Sequence, residues 1–348
     1  MRHSILPVLA VLLAASTGTA QQVLEIDYDS GRIVIDSEQR GIYSTVIDHD
    51  YSILYAYDVE EPEGVMAFSL DTGEWIRTVR FRTGGGPREL PQGFAGMAVA
   101  PSGGLYVSGL SRVLEFDAGG QYVANWTPRA PERKGAVCDF DGQPAVPTLK
   151  GVVRRNGNNE ETIGPGPGGL RLSERERSQV ADRIWSARMA CTLAAAFVLT
   201  TYADDTDSLS VYYKSGRTGT LPIPTELAAA ATVTVGPKIG TDGQGNIVLS
   251  AIPNIRLARH GGYLVAGAVI DPASGCYALI RNPEKNMFAY DFRGVHADSA
   301  VVAVRYFEEG EEQGRRAVTY FDHADKVALY PLRRVNGEPC ARMLPTVS

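Results

Sequence analysis

Six short polar turns, each set between two apolar runs, punctuate the chain: "LDTGEW", "FDAGGQY", "RRNGNNE", "YKSGRTG", "DPASGCY" and "FDHADKV". Their glycines, Gly73, Gly119, Gly157, Gly216 and Gly275, are 46, 38, 59 and 59 residues apart, and Ala324 follows 49 residues later. A spacing of about 40 to 60 residues between equivalent hairpins is what a four-stranded antiparallel sheet and its loops require. One such sheet cannot bury both of its faces alone. Stacking the sheets buries the faces, and closing the stack into a ring removes the two exposed ends. The turns therefore predict an all-β fold, a six-bladed β-propeller with four-stranded antiparallel blades.

The stretches around the turns agree. "GIYSTVIDHDYSILYAYD", "GVMAFSLDTGEWIRTVRF", "GLYVSGLSRVLEFD", "SLSVYYKSGRTGTLPI", "NIVLSAI" and "SAVVAVRYF" are short runs rich in β-branched and aromatic residues, bounded by Gly, Asp, Asn and Pro. Residues 172–189, "LSERERSQVADRIWSARM", read instead as one short helical insertion, with Ser173 and Glu176 at capping-box spacing. The strand-rich start of the mature chain, "VLEIDYDSGRIVIDS", precedes the first complete unit. It is expected to close the ring by joining the last blade, which ends in "KVALYPLRRV".

Residues 1–20 read as an address. Arg2 and His3 precede an apolar run, Ile5 to Ala15, and a small-residue stretch ending at Ala20, the pattern of a secretory signal peptide. Residues 21–348 then form a single propeller domain, exported to the periplasm or beyond the cell and expected to be monomeric. No later apolar run approaches the roughly twenty residues that a transmembrane helix needs. The chain carries 34 Lys and Arg against 40 Asp and Glu, a net charge of −6. That balance argues against nucleic acid or an anionic membrane as partner, since both favour a basic face.

The four cysteines, Cys138, Cys191, Cys276 and Cys340, form an even set in an oxidising compartment and suggest two disulfides. Three pairings are open. Neighbours in sequence share or adjoin a blade, which favours Cys138–Cys191 and Cys276–Cys340. No CxxC pair is present, so tetrahedral zinc and thiol exchange both lack support.

"TGGGPRELPQGFAGMAVAPSGGLYVSGLSRVLEFDAGG", residues 83–120, resembles the pattern of bacterial six-bladed β-propeller proteins of the NHL-like and TolB-like kind. Gly84, Gly86, Pro87 and Glu89 match its glycine-proline segment. Gly104, Leu105, Tyr106 and Val107 match its central turn and strand, and Arg112, Val113, Phe116, Asp117 and Gly120 its last part. Ala100 or Pro101 stands where that turn usually carries Asp. Weaker echoes are "TDGQGNIVLS" at 241–250 and "IGPGPGG" at 163–169. The resemblance implies a six-bladed fold and an exported location, within a functionally mixed family. Gly84-Gly85-Gly86-Pro87 is not a phosphate loop, because a strand rather than a helix follows and no Lys-Ser/Thr accompanies it. It is expected to carry the chain from one blade's outer strand to the next blade's inner strand.

Catalytic constellations are sparse. His49, His260, His296 and His323 are too scattered for a metal-binding helix motif, and the "HGG" at 260–262 has no nucleophile elbow beside it. Propeller lactonases and amidating lyases hold a divalent metal in the central channel through scattered side chains. Here Asp139, Asp141, Asp242 and Asn254 are the residues that would have to converge on a Ca or Zn ion, and no cofactor is otherwise expected. The ligand-binding candidates are Arg82, Arg88 and Glu89, which flank the first glycine-proline loop, and His49 and Asp139, at inner-strand or inter-blade positions, on a scaffold whose central depression gathers loops from every blade. The expected function is a non-enzymatic binding scaffold for a protein, peptide or small molecule. The alternative is a metal-dependent hydrolase or lyase working in the channel.

Overall fold

The computed structural model describes residues 22–36, 41–129, 136–165, 184–202, 207–224, 226–227, 238–250, 265–283, 290–312 and 315–336. These residues build an all-β propeller. Three four-stranded antiparallel sheets stand apart. The first comprises Gly96–Ala100, Gly104–Ser108, Val113–Phe116 and Tyr122–Trp126. The second comprises Cys138–Asp139, Pro144–Thr148, Gly151–Asn156 and Asn159–Ile163. The third comprises Ile184–Cys191, Ala195–Tyr202, Asp207–Tyr213 and Thr218–Leu221.

The remaining large sheet is a continuous 13-stranded assembly in which meanders are joined edge to edge. The N-terminal meander is Ile42–Asp48, Ile53–Asp58, Gly64–Ser69 and Trp75–Arg80. The penultimate meander is Lys238–Thr241, Ile247–Ser250, Val265–Ile270 and Tyr277–Arg281. The closing meander is Tyr290–His296, Ser299–Glu312 and Arg315–Asn336, and it takes its fourth strand, Arg32–Asp36, from the other end of the chain. Gln22–Ile26 fills the seam, parallel to Tyr277–Arg281 on one side and antiparallel to Leu332–Asn336 on the other. The expected closure by an early strand on "KVALYPLRRV" is thus observed.

Two arrangements make the stack cyclic. The first strands of successive meanders pack side by side, and Tyr290–His296 returns to lie against Ile42–Asp48. The apolar clusters likewise sit between meanders rather than within them. Leu54 and Met66 pack with Val34, Val301 and Val327, and Tyr55 and Val79 pack with Leu105 and Leu114. Trp126, Phe140, Val152 and Val198 share a third cluster, Phe197 with Leu249 a fourth, and Val248 with Phe292 and Leu24 a fifth. Each face is covered only by its neighbour, so the ring stands or falls as a unit.

The turns explain the acidic composition. Asp48, Asp117, Asp242 and Asp271 each follow or end a strand, and each carboxylate accepts backbone N–H groups within its own turn, at 2.8 to 3.2 Å. Such Asx turns satisfy amide groups that the ladder leaves without partners.

Two expectations are corrected. The helix of residues 172–189 is replaced at its C-terminal end by the strand Ile184–Cys191, while its earlier part lies outside the described residues. Ala187, Met189 and Cys191 face one core cluster with the period of two that a strand imposes, and the ladder to Ala196–Tyr202 outweighs local helix propensity. The hairpin at Ala324 is absent, because that residue lies inside the strand Arg315–Asn336. The closing meander receives its fourth strand from Arg32–Asp36 and needs no turn there.

Cys138 and Cys191 form a disulfide between the first strands of adjacent meanders, with Cα atoms 5.6 Å apart. The second expected pair involves Cys340, outside the described residues, as do the leader 1–20, residues 166–169 of the second glycine-proline stretch, the "HGG" string and Asn254. A disulfide suggests an oxidising, exported environment. Among the described residues no helix is long and apolar enough to cross a membrane. The bond closes a loop with a sequence separation of 53. By the chain-entropy relation, replacing both cysteines with Ser should lower unfolding free energy by about 4 kcal/mol, measured by urea titration with m unchanged.

Candidate functional site

The turns that follow the first strands gather at one end of the ring. The hydroxyl of Tyr55 donates to the carbonyl of Gly103 in the next meander at 3.0 Å, and the Tyr51 ring packs where a side chain on Gly103 would be. His49 opens the turn after the first strand of the N-terminal meander and reaches two others. Its Nε2 lies 2.9 Å from the carbonyl oxygen of Thr241, and its ring stacks on His296 with centroids 5.7 Å apart. Asp139 and Asp141 occupy the equivalent turn of another meander. This end therefore collects two of the five ligand-binding candidates, His49 and Asp139.

The other three lie on the connection that leads to the opposite end, and the structure employs them in the loop. Arg82–Thr83 and Glu89–Leu90 form a two-stranded parallel ladder that closes the glycine-proline segment. The Glu89 carboxylate accepts from the Gly86 amide at 2.7 Å, and Arg112 donates to the carbonyls of Gly86 and Glu89. A Cβ on Gly84 would lie 2.3 Å from the Glu89 carboxylate, so only glycine lets that group approach. Arg88 sits 4.9 Å over the Tyr122 ring, whose hydroxyl and the Asn125 amide donate to the Pro87 carbonyl. The segment joins the outer strand Trp75–Arg80 to the first strand Gly96–Ala100, the role expected of it.

Among the described residues, the metal candidates Asp139, Asp141 and Asp242 do not converge on one site. Asp242 is held inside its own turn by Gln244 and Asn246. Asp141 bridges Arg154 and Lys214, and those hydrogen bonds hold its carboxyl below the usual range. Among the described residues, no three His, Cys, Asp or Glu side chains form a group that could hold a metal ion.

Asp139 is electrostatically different. Burial pushes its carboxyl up to about 6 against the Gly142 amide and Lys214, while Asp141 and Glu115 add to the rise. One of its oxygens, Oδ1, is buried without a hydrogen-bond partner. Beside it Tyr106 is raised by burial and by the Asp139 charge, and Glu115 is paired to Arg155 at 2.7 Å. Asp48 is 2% exposed and raised by burial, despite two amide hydrogen bonds to its Oδ1. His49 and His296 are both lowered, in each case by burial first.

The sequence reading missed His296 as His49's partner, because 247 residues separate them. The available signal was positional, since each histidine ends a run that reads as a first strand.

For Asp139 the sign of the pH dependence follows from its raised value. Between its ordinary 3.8 and about 6 the folded state binds more protons than the unfolded state, so stability falls as pH rises through that window. Asp139→Asn should raise stability at pH 7.5 by about 1–2 kcal/mol, a figure reduced for partial exposure, and the gain should vanish by pH 4 in urea titrations.

No protein-family model matches the chain, and no curated protein is similar to it. Among solved structures, "Structure of YjhT" is similar at 11% identity over 87% of this chain and 100% of that one, with a TM-score of 0.48. A gluconolactonase from Xanthomonas campestris is similar at 12% identity over 91% and 98%, with a TM-score of 0.47. The Neurospora crassa Pan2 WD40 domain is similar at 8% identity over 84% and 89%, with a TM-score of 0.41. The fold assignment is carried by strand pairing and the closing seam rather than by these likenesses.

Proposed function

We propose that the protein is an exported six-bladed propeller of the NHL-like or TolB-like kind, acting as a non-enzymatic scaffold that binds a protein, peptide or small ligand at its turn end. The blade count follows from parsing the 13-stranded assembly into three meanders and adding the three separate sheets. The observation that carries the binding reading is the disposition of groups on that end. Asp48, Asp141 and Asp242 are taken up by turn and ion-pair geometry, whereas Tyr51 and Leu193, 57% and 87% exposed, stand on the turns after first strands. Large apolar groups on turn tips around a recessed axis suit recognition of a partner's apolar residue.

A second reading keeps one specific observation in its favour. Asp139, half-buried and with its carboxyl pushed up to about 6, has the character of an acid or base in a channel hydrolase or lyase.

One experiment separates the readings. The purified protein is assayed for bound metal, for a change in melting temperature with EDTA, and for lactone hydrolysis, and is then panned against a displayed peptide library. The scaffold reading expects no tightly held metal, an unchanged melt, no turnover and recovered peptides. Tyr51→Ser with Leu193→Ser should weaken binding of those peptides about tenfold or more, at an unaltered melting temperature. Lactone turnover lost in Asp139→Asn would move the assignment to the enzyme.

A further inference from the structure

Thr241 and His296 end the first strands of the penultimate and closing meanders, and His49 directly follows that of the N-terminal meander. They meet where the two chain ends complete the ring. The imidazoles of His49 and His296 stack at 5.7 Å with their planes 21° apart. On its other side His49 is packed by the turn at Gly243, where a Cβ would lie 2.6 Å from the Cβ and Cγ of His49. That glycine has φ of +79°, so both conformation and space exclude a side chain. Because the Thr241 carbonyl only accepts, Nε2 of the neutral His49 ring carries the hydrogen, and Nδ1 is the atom left to take up a proton. Nδ1 of His296 is buried with no hydrogen-bond partner.

The charges that face the pair come from every element around it. Asp50 and Asp242 face His49, and Asp71 and Asp298 face His296. Asp48 precedes His49 at the end of the strand, and Arg293 on the closing strand donates to the Tyr43 carbonyl at 3.0 Å. The carboxylates favour protonation, but burial outweighs them at both rings. A proton on one ring then opposes a proton on the other.

We propose that the His49–His296 stack is a proton-operated latch on the closing seam. With both rings neutral it holds the first strand of the N-terminal meander against those of the penultimate and closing meanders; with both charged it releases them. The inference stands apart from the binding reading, since it concerns how the ring is held shut rather than what docks on it.

Hydrogen exchange of the full protein, corrected for intrinsic rates, tests it at pH 7.5 and pH 5.0. The expected result is a rise of about tenfold in local opening, confined to peptides covering 42–48 and 290–296. Exchange in 196–201 and 208–212, strands remote from both the histidines and Asp139, should stay constant. His296→Phe keeps a flat ring without a proton site and should abolish the rise. An equal rise in that variant, a rise spread over every strand, or no rise in the native protein would each overturn the latch. If the variant does not fold, ring carbon resonances of the native protein decide the matter. Two linked titrations below the ordinary 6.5 support the proposal, and independent titrations at or above it sink it.

Discussion

The pairing of Gln22–Ile26 and Arg32–Asp36 with the last strand is the interaction on which the rest of the structure depends. Every meander covers its neighbour's apolar face, so a linear array of the same sheets would leave one such face bare at each end. The seam removes both, using backbone ladders and polar ties at once. Asp27 accepts from Arg333, its amide donates to the Pro331 carbonyl at 2.9 Å, and Tyr28 donates to Asn282 in the penultimate meander. Cys138–Cys191 staples a distant part of the ring, and Cys276, beside the seam-facing strand Tyr277–Arg281, is disulfide-bonded as well. His49 and His296 also lie where the chain ends meet.

Turn chemistry decides what the exposed end of the ring can do. The fold spends most of its acidic residues there on amide groups in its own turns, and cross-meander ion pairs such as Arg155 with Glu115 take up others. A sequence with many Asp residues on short loops thus looks rich in metal ligands while offering few. Asp139 escapes because its second oxygen finds no donor, and the histidines escape because they face each other.

The fold was legible to the extent that it is written in local chemistry. Gly73, Gly120, Gly157, Gly216 and Gly275 all adopt positive φ, so the turn pattern tracked a real backbone requirement, with Gly120 rather than Gly119 bearing the strain. The early-strand closure and the Cys138–Cys191 pair were likewise read correctly from position along the chain. What failed was nonlocal. "IWSARMAC" has helix-forming residues yet finds a ladder partner in Ala195–Tyr202, and Ala324 lost its hairpin to a strand borrowed from residues 32–36. The contacts of the candidates Arg88 and Glu89 were also illegible, because nothing in sequence announces the Tyr122 ring or the Gly86 amide that engage them.

The two kinds of titrating group at the turn end pull stability in opposite directions. Asp139 binds its proton more tightly when folded, so it favours the folded state as pH falls through about 6. His49 and His296 bind theirs more weakly when folded, so the unfolded state gains protons as pH falls below 6.5 and stability is lost. The windows overlap near pH 6, and the two slopes offset one another in any global measure. A melting curve can then be nearly flat across a pH range in which the seam loosens and the Asp139 turn tightens. Local opening, strand by strand, carries the information that the sum conceals, and the same compensation would let the ring change its closure without approaching its unfolding limit.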